Sequence, residues 1–286
     1  MSGNTDDKSK RGANPQRSSR EKKFYFEEWS DVAKYMDETL NPQAEAIRTG
    51  RPAKRFLFRG TTDARYKLVP TVGREGSRIS PWKYNRADER ALLRAFKLQV
   101  RPYLAHEPAN ELEWLAIARH HGVPTRLLDW TTSFLIALFF AVENGGMRSV
   151  EIITRDENGK VIREQKSIGV PPAIYVTHGV RYCNPAFTDP FRIRQLSFFT
   201  PPHISPHIAA QRSILAIHPD PKNEPPYPNL RKLTVKPDLC VRLKFILEGQ
   251  GITHGSIVPT IDGLAQQLQW AYKWNLLDQY RMGRHA

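Results

Sequence analysis

The chain's most informative run of apolar and polar positions lies between Ala118 and Ala141, ARHHGVPTRLLDWTTSFLIALFFA. Phe134 to Val142 (FLIALFFAV) is apolar at every position. A helix that is apolar all round is a buried one, so this run predicts a core helix. Two His, two Arg, an Asp, a Trp and a Thr-Thr-Ser run stand directly before it. Thr131, Thr132 or Ser133 is placed to cap it. A helix start with free N–H groups is also a natural seat for an anion. The pattern carries two readings together, a capped core helix and an anion site.

Elsewhere the periodicity lays out short strands and amphipathic helices. Phe24 to Leu40 predicts a strand and then a helix, with Ser30 as N-cap and Val32, Ala33, Met36 and Leu40 inward. RFLFRG (Arg55 to Gly60) is a short apolar strand, followed by a loop with room for a second one. Arg86 to Tyr103 has helical period, with Leu92, Leu93, Phe96 and Val100 on one face. Glu111 to His121 is another amphipathic helix, stopped by Gly122 and Pro124. Val150 to Ile153 and Pro172 to Thr177 read as strands, with Asp156 to Gly159 as a hairpin turn between them. Residues 181–206 read as a long irregular segment, of the kind that often carries function. Arg212 to His218 is a further strand, Leu233 to Val235 and Val241 to Leu247 add strand or helix, and Asp262 to Leu277 is a closing helix. The alternation predicts a single α+β domain with a mixed or split central β-sheet flanked by helices. Residues 1–20 read as a disordered polar tail and 21–286 as the domain.

Composition narrows the partners. The 43 Lys and Arg exceed the 29 Asp and Glu for a net charge of +14. That balance points to an acidic macromolecular target, nucleic acid or protein. The cations are spread along the chain, with no aromatic-interleaved basic stripe of the kind single-strand binders use. No window approaches the roughly 18 apolar residues of a membrane span, and the N-terminus lacks the apolar core of a secretory signal. A cytoplasmic protein with no membrane association is expected. Cys183 and Cys240 have no partner pattern. The common glycine-rich phosphate, zinc and nucleophile-elbow motifs are absent. Neighbouring His120 and His121 would point about 100° apart on a helix, so no metal site is expected.

Three blocks resemble the FRG domain family: FLFRG at Phe56 to Gly60, ARHHGVPTRLLDWTTSFLIALFFA at Ala118 to Ala141, and GITHGSIVPTIDGLAQQL at Gly251 to Leu268. The first contains the aromatic-Arg-Gly triplet, here Phe58-Arg59-Gly60. In the third, Val258 and Thr260 depart from the family's Phe and Asp. The resemblance spans roughly Phe24 to Trp274. More distantly, the chain resembles mono-ADP-ribosyltransferases of the arginine–serine–glutamate class. Arg59 at a strand end, Trp130-Thr131-Thr132-Ser133 before an Ala- and Phe-rich helix, and Gln211 before a strand fall in that class's order. The class has a Glu close to the residue matched by Gln211, where this chain has Ser213, so Asp129 or Glu143 would take the carboxylate's role.

That second resemblance implies an ADP-ribosyltransferase-like fold and an NAD-consuming transferase, an effector of toxin or phage-defence type with NAD as co-substrate. An Arg can grip the NAD pyrophosphate bidentately, and a carboxylate can stabilise an oxocarbenium-like transition state. Arg59, His121, Asp129 and Gln211 are the expected catalytic residues. Arg59, Gly60, Arg126, Thr131, Thr132 and Ser133 are the expected cofactor-binding residues. Arg59, His121, Arg126, Asp129, Thr131 and Gln211 are expected to converge on one cleft, where Arg59 and Arg126 hold phosphate and Asp129 orients an Arg or His. Gly60 would let a ligand approach the backbone. Removing Asp129 would unpair Arg126, at about 3–5 kcal/mol. Two other readings stay open: a non-catalytic module binding nucleotide or nucleic-acid phosphate, and a metal-independent nuclease using His121 and Asp129. Arg59 also has a purely structural reading, as a partner for Asp129.

Overall fold

Large apolar residues on both faces of short strands build a central sheet. The computed structural model describes residues 24–144, 146–155, 161–202 and 206–277. The expected tail at 1–20 and the turn at 156–159 lie outside the described residues. The strands are β1 (Phe24–Phe26), β2 (Phe56–Thr61), β3 (Leu127–Thr131), β4 (Met147–Arg155), β5 (Val161–Gly169), β6 (Ala173–His178), β7 (Ser197–Phe199), β8 (Ser213–Ile217) and β9 (Arg231–Val235). Among the described residues seven of them form one sheet, in the order β1-β9-β6-β2-β3-β8-β7. β1 and β9 are parallel and every other neighbouring pair is antiparallel. The sheet is therefore mixed, as the pattern predicts.

The sheet also divides near its middle. β2 matches β6 over six residue pairs, but among the described residues it meets β3 through the single pair Phe58 and Thr131. Past that pair the two strands diverge, and side chains can enter the gap.

Helices cover one face. They are α1 (Trp29–Arg48), α2 (Arg86–Val100), α3 (Glu111–His120), α4 (Phe134–Val142), α5 (Pro206–Ala210), α6 (Leu239–Gly249), α7 (His254–Ile257) and α8 (Ile261–Lys273). The apolar run is the core helix α4, with Phe139 buried and Phe140 half-buried. Its N-cap is Ser133, whose hydroxyl accepts from the N–H of Ile136. α4 packs with α1, α6 and α7 over β1, β2, β6 and β9. α2 and α3 cover β3, β7 and β8. Loops close the opposite face around Leu57, Leu128, Trp130, Tyr175 and Tyr227.

Several elements differ from the sequence reading. α1 runs on through Pro42 to Arg48, and its N-cap is Glu28 in a capping box with Asp31, not Ser30. Tyr35 is buried beside Val32. Leu92 is exposed, because Leu93 points α2's narrow apolar edge inward. The strand at 150–153 pairs with Val161–Gly169, not with Pro172–Thr177. The charged, exposed β5 suits a two-stranded arm, whereas the apolar β6 suits the sheet interior. β7 lies within the segment read as irregular, and residues 239–249 are helical, with Leu239, Cys240, Leu243 and Leu247 on one buried face.

Gly60 is needed for packing. A Cβ there would lie 1.9 Å from the Ala137 carbonyl oxygen and 2.7 Å from the Ala141 nitrogen, both rigid backbone of α4. The close approach expected of a ligand is made by the helix. Gly60→Ala should therefore cost about 3 kcal/mol or more through overpacking, lowering the melting temperature by several degrees. Gly249→Ala, where a Cβ meets open space, should leave it within about a degree. Thermal denaturation of both variants checks the contrast.

Candidate functional site

The gap between β2 and β3 holds a charged cluster. Arg59 alternates with Phe58 and Gly60 on β2, so its side chain starts on the loop-covered face. Its Nη1 donates to the Asp129 carbonyl at 2.6 Å and lies 3.8 Å from the Asp129 carboxylate. Arg119 arrives from the last turn of α3. Its Nε and Nη2 donate to Asp129 Oδ2 at 3.0 and 2.6 Å, and its Nη1 donates to Thr71 Oγ1 at 3.2 Å. α3 delivers it there because Asn110 caps the start, while His121 and Gly122, with φ +82°, end the helix one turn before β3. Arg74 is held by its Nε donating to the Val69 carbonyl at 2.9 Å, in the field of Arg119 and Asp129.

Three cations thus face one carboxylate, an excess of two positive charges. Asp129 is crowded by protein yet 40% of its side chain is open to solvent, against 16% for Arg59 and 21% for Arg119. Burial, reinforced by Arg119 and Arg74 and partly opposed by Asp129, pushes Arg59 down to about 10. Burial would raise Asp129, but Arg119 and Arg59 overcome it and hold the carboxyl below its usual range. Asp129 is therefore ionised at neutral pH. Three guanidiniums around one ionised carboxylate leave positive charge that the carboxylate does not balance, the electrostatic condition for holding an anion.

A neutral wall backs the cluster. His218 Nε2 and the Tyr227 hydroxyl lie 2.8 Å apart in a hydrogen bond, and Tyr227 packs on Trp130. Burial, with Arg59 adding to it, pushes His218 down to about 3, so it is neutral. Burial also pushes the Tyr175 hydroxyl up to about 12; it donates to the Tyr66 carbonyl at 2.8 Å.

The single expected cleft divides, with Arg59 and Asp129 together and the other four residues elsewhere. Arg126 is fully buried and paired with Glu89, not Asp129. Its Nε and Nη2 donate to Glu89 at 3.1 and 2.6 Å, its Nη1 donates to the Pro190 carbonyl at 3.0 Å, and its guanidinium stacks on Phe191. With no exposed atom it cannot reach a phosphate. His121 is exposed and lines another cavity with Tyr103, His106, His120 and Ile208. Thr131 is buried, its hydroxyl accepting from the Ser133 N–H at 3.1 Å, so it shapes the turn into α4. Thr132 is exposed at a separate cavity beside Phe56 and Tyr182. Gln211 donates to the Ile257 carbonyl at 3.4 Å, beside α7. Glu143, the alternative carboxylate, accepts from His254 Nδ1 at 2.9 Å, at the far end of α4. Sequence reasoning missed Arg119, Arg74 and Thr71. Arg119 stood in the signature block with nothing to rank it against Arg126.

Residues 54–148 match the sequence model of the FRG domain. The matched stretch contains Arg59, Arg74, Arg119 and Asp129 and two of the three resembling blocks; Gly251 to Leu268 falls outside it. No curated protein and no solved structure matches the chain.

Two stability effects follow. Glu89→Ala leaves Arg126 buried without a counter-charge and should cost about 3–5 kcal/mol. Asp129→Ala should cost on the order of 1 kcal/mol, because water reaches the cluster and screens it; urea titrations compare the two. His218 sets a pH dependence. Its folded pKa lies below its unfolded one, so the unfolded chain binds the extra proton. Its contribution is intact above about 6.5 and falls as pH drops toward 3, at up to about 1.4 kcal/mol per pH unit. Unfolding free energies at pH 6.5 and 4.5 should differ less in His218→Asn than in the unsubstituted protein.

Proposed function

We propose that this FRG-domain chain binds a nucleotide pyrophosphate in the Arg59–Arg74–Arg119 cleft, and that the nucleotide is NAD, consumed in an ADP-ribosyltransferase-like reaction. The observation that carries the reading is the excess of two cations around a single, half-open carboxylate. Arg59, with one hydrogen bond to the Asp129 carbonyl, keeps N–H donors for a phosphate, and Arg119 adds the hydrogens left over from its bonds to Asp129 and Thr71. The third, Arg74, stands at the exposed rim, where it can close on the ligand.

In this reading the C1′–nitrogen bond to nicotinamide breaks and its electron pair leaves with the ring. Asp129, ionised, stabilises the positive charge left on the ribose. A nucleophile of the acceptor, or water, then bonds to C1′ and gives up its proton. The adjoining wall of Tyr227, Trp130 and neutral His218 offers an aromatic surface without adding charge. The chain's fold, a mixed sheet parted between β2 and β3 with the arginine at the parting, suits a ligand lying across that gap.

A second reading has its own support. Arg119 holds Asp129 with two hydrogen bonds, and Gln211 turns away to Ile257. A carboxylate so engaged favours a non-catalytic phosphate-binding module. The nuclease reading loses its base, since His121 faces a different cavity.

Arg59→Ala and Arg119→Ala should each weaken NAD binding by about 10- to 100-fold, the worth of one charged hydrogen-bonding partner, with melting temperatures within a few degrees of the parent. Calorimetric titration measures this. Nicotinamide release from NAD should be abolished by Asp129→Asn while binding persists. NAD affinity unchanged in both arginine variants would overturn the pyrophosphate site. Binding with no nicotinamide release, with or without a lysate, would select the non-catalytic module.

A further inference from the structure

A basic, aromatic loop follows Arg74 at the edge of the cleft, and apart from Arg74 it has no role in NAD binding as proposed. After Thr71 and Gly73 the chain carries Arg74, Glu75, Arg78, Ile79, Pro81, Trp82, Lys83 and Tyr84 before α2 begins at Arg86. Trp82 is 80% exposed, although a large indole is normally among the more buried side chains. The loop is nonetheless fixed. The Ser80 hydroxyl donates to the Val72 carbonyl at 3.1 Å, and the Tyr84 N–H donates to Glu75 at 3.0 Å. These two ties bracket Pro81, Trp82 and Lys83 and hold them against the segment that carries Arg74. Tyr84 then anchors in the core, its hydroxyl donating to Glu89 at 2.7 Å and accepting from Arg126 Nη2 at 2.8 Å.

A second exposed aromatic stands near Arg74. Tyr66 is 45% exposed and interacts electrostatically with Arg74, and its hydroxyl accepts from Arg148 Nη2 at 2.7 Å. Lys67, Arg78 and Lys83 are exposed and make no hydrogen bond or ion pair among the described residues. The cleft arginines are assigned to one pyrophosphate in the proposed function, and the rim carries further cations beside them. Among the described residues neither Tyr66 nor Trp82 has another aromatic ring packed on it. Cations that track a backbone and aromatics that stack bases are the two elements of single-strand recognition.

We infer that the rim formed by Tyr66, Lys67, Arg74, Arg78, Trp82 and Lys83 binds single-stranded nucleic acid, with a base stacked on Trp82 and phosphates along Lys67, Arg78 and Lys83. As the acceptor for ADP-ribose, such a strand rests on the NAD reading; as a bound partner it does not.

Fluorescence anisotropy with a labelled single-stranded 12-mer, RNA and DNA in parallel and without NAD, tests the surface. Trp82→Ala should weaken binding about 5- to 100-fold, the range for losing one stacked base. Trp82→Phe, which keeps a ring, should retain most of the affinity. Lys83→Ser and Arg78→Gln should each flatten the slope of log affinity against log salt by about 0.7. Arg78, Trp82 and Lys83 all lie outside the core, so melting temperatures should stay within a degree or two. No binding of either strand, or affinity indifferent to Trp82→Ala, overturns the inference. Displacement of the 12-mer by AMP at equal concentration also overturns it, because the rim would then serve a single nucleotide. Arg59→Ala should weaken NAD binding by about 10- to 100-fold while leaving 12-mer affinity within about threefold. The cleft and the rim can thus fail separately.

Discussion

The buried ion pair of Glu89 and Arg126 is the constraint on which the charged half of the molecule depends. Neither side chain has meaningful contact with water. Such a pair gains little over an apolar core unless its remaining hydrogen-bonding groups are met. Here they are: Glu89 also accepts from the Arg126 backbone N–H and the Tyr84 hydroxyl, and Arg126 also donates to Tyr84 and the Pro190 carbonyl. One cluster therefore pins the start of β3, the first turn of α2, the loop ending at Tyr84 and the chain at Pro190. Fixing the start of β3 fixes Asp129 three residues later. Fixing Tyr84 fixes the rim that carries Trp82. The pair acts on the cleft through position, while its own charge is spent internally.

The other half of the site is set by shape. α4 can enter the core only because its face toward β2 meets a residue without a side chain, Gly60. With α4 seated so closely, Phe58 and Phe134 pack edge to face, and Tyr35 and Phe134 lie in contact beyond them. β2 is drawn toward α4 and β6, and leaves β3 after one matched pair. Arg59 follows Phe58 into the opening. Its hydrogen bond to the Asp129 carbonyl takes the place of a ladder bond that the diverging strands no longer make. The structural reading of Arg59 as Asp129's partner and its reading as an anion ligand are thus compatible. One N–H holds the strand, and the excess charge remains.

What the sequence made legible follows from the range of the interactions involved. α4 was readable because nine consecutive apolar residues report burial without reference to any partner. α3 was readable from its apolar period and its stop from Gly122 and Pro124, all local signals, while its N-cap Asn110 was not read from the sequence. The mixed, divided sheet was readable only as a class, from the alternation of elements. Which arginine faces the cleft was not readable. Arg119 and Arg126 sit seven residues apart in one block, and their partners decide between them. Glu89 lies 37 residues before Arg126, in a helix whose pattern gives no sign that a carboxylate belongs inside. Thr71 lies 48 residues before Arg119. The pairing of β4 failed for the same reason: β5 and β6 are both extended, and only the whole sheet determines which one is interior.

Part of the chain's +14 charge acquires a location once the pairs are assigned. Arg65 and Arg148 converge on buried Asp63, Arg126 is spent on Glu89, and Arg48, Arg101 and Arg192 hold nearby surface acids. These pairs neutralise locally and contribute little field. The cluster around Asp129 differs, because three cations share one anion beside aromatic and neutral side chains. Burial alone would not keep such a group charged; Arg59, even lowered to about 10, remains ionised at neutral pH. The fold thus gathers more positive than negative charge at the parting of β2 and β3.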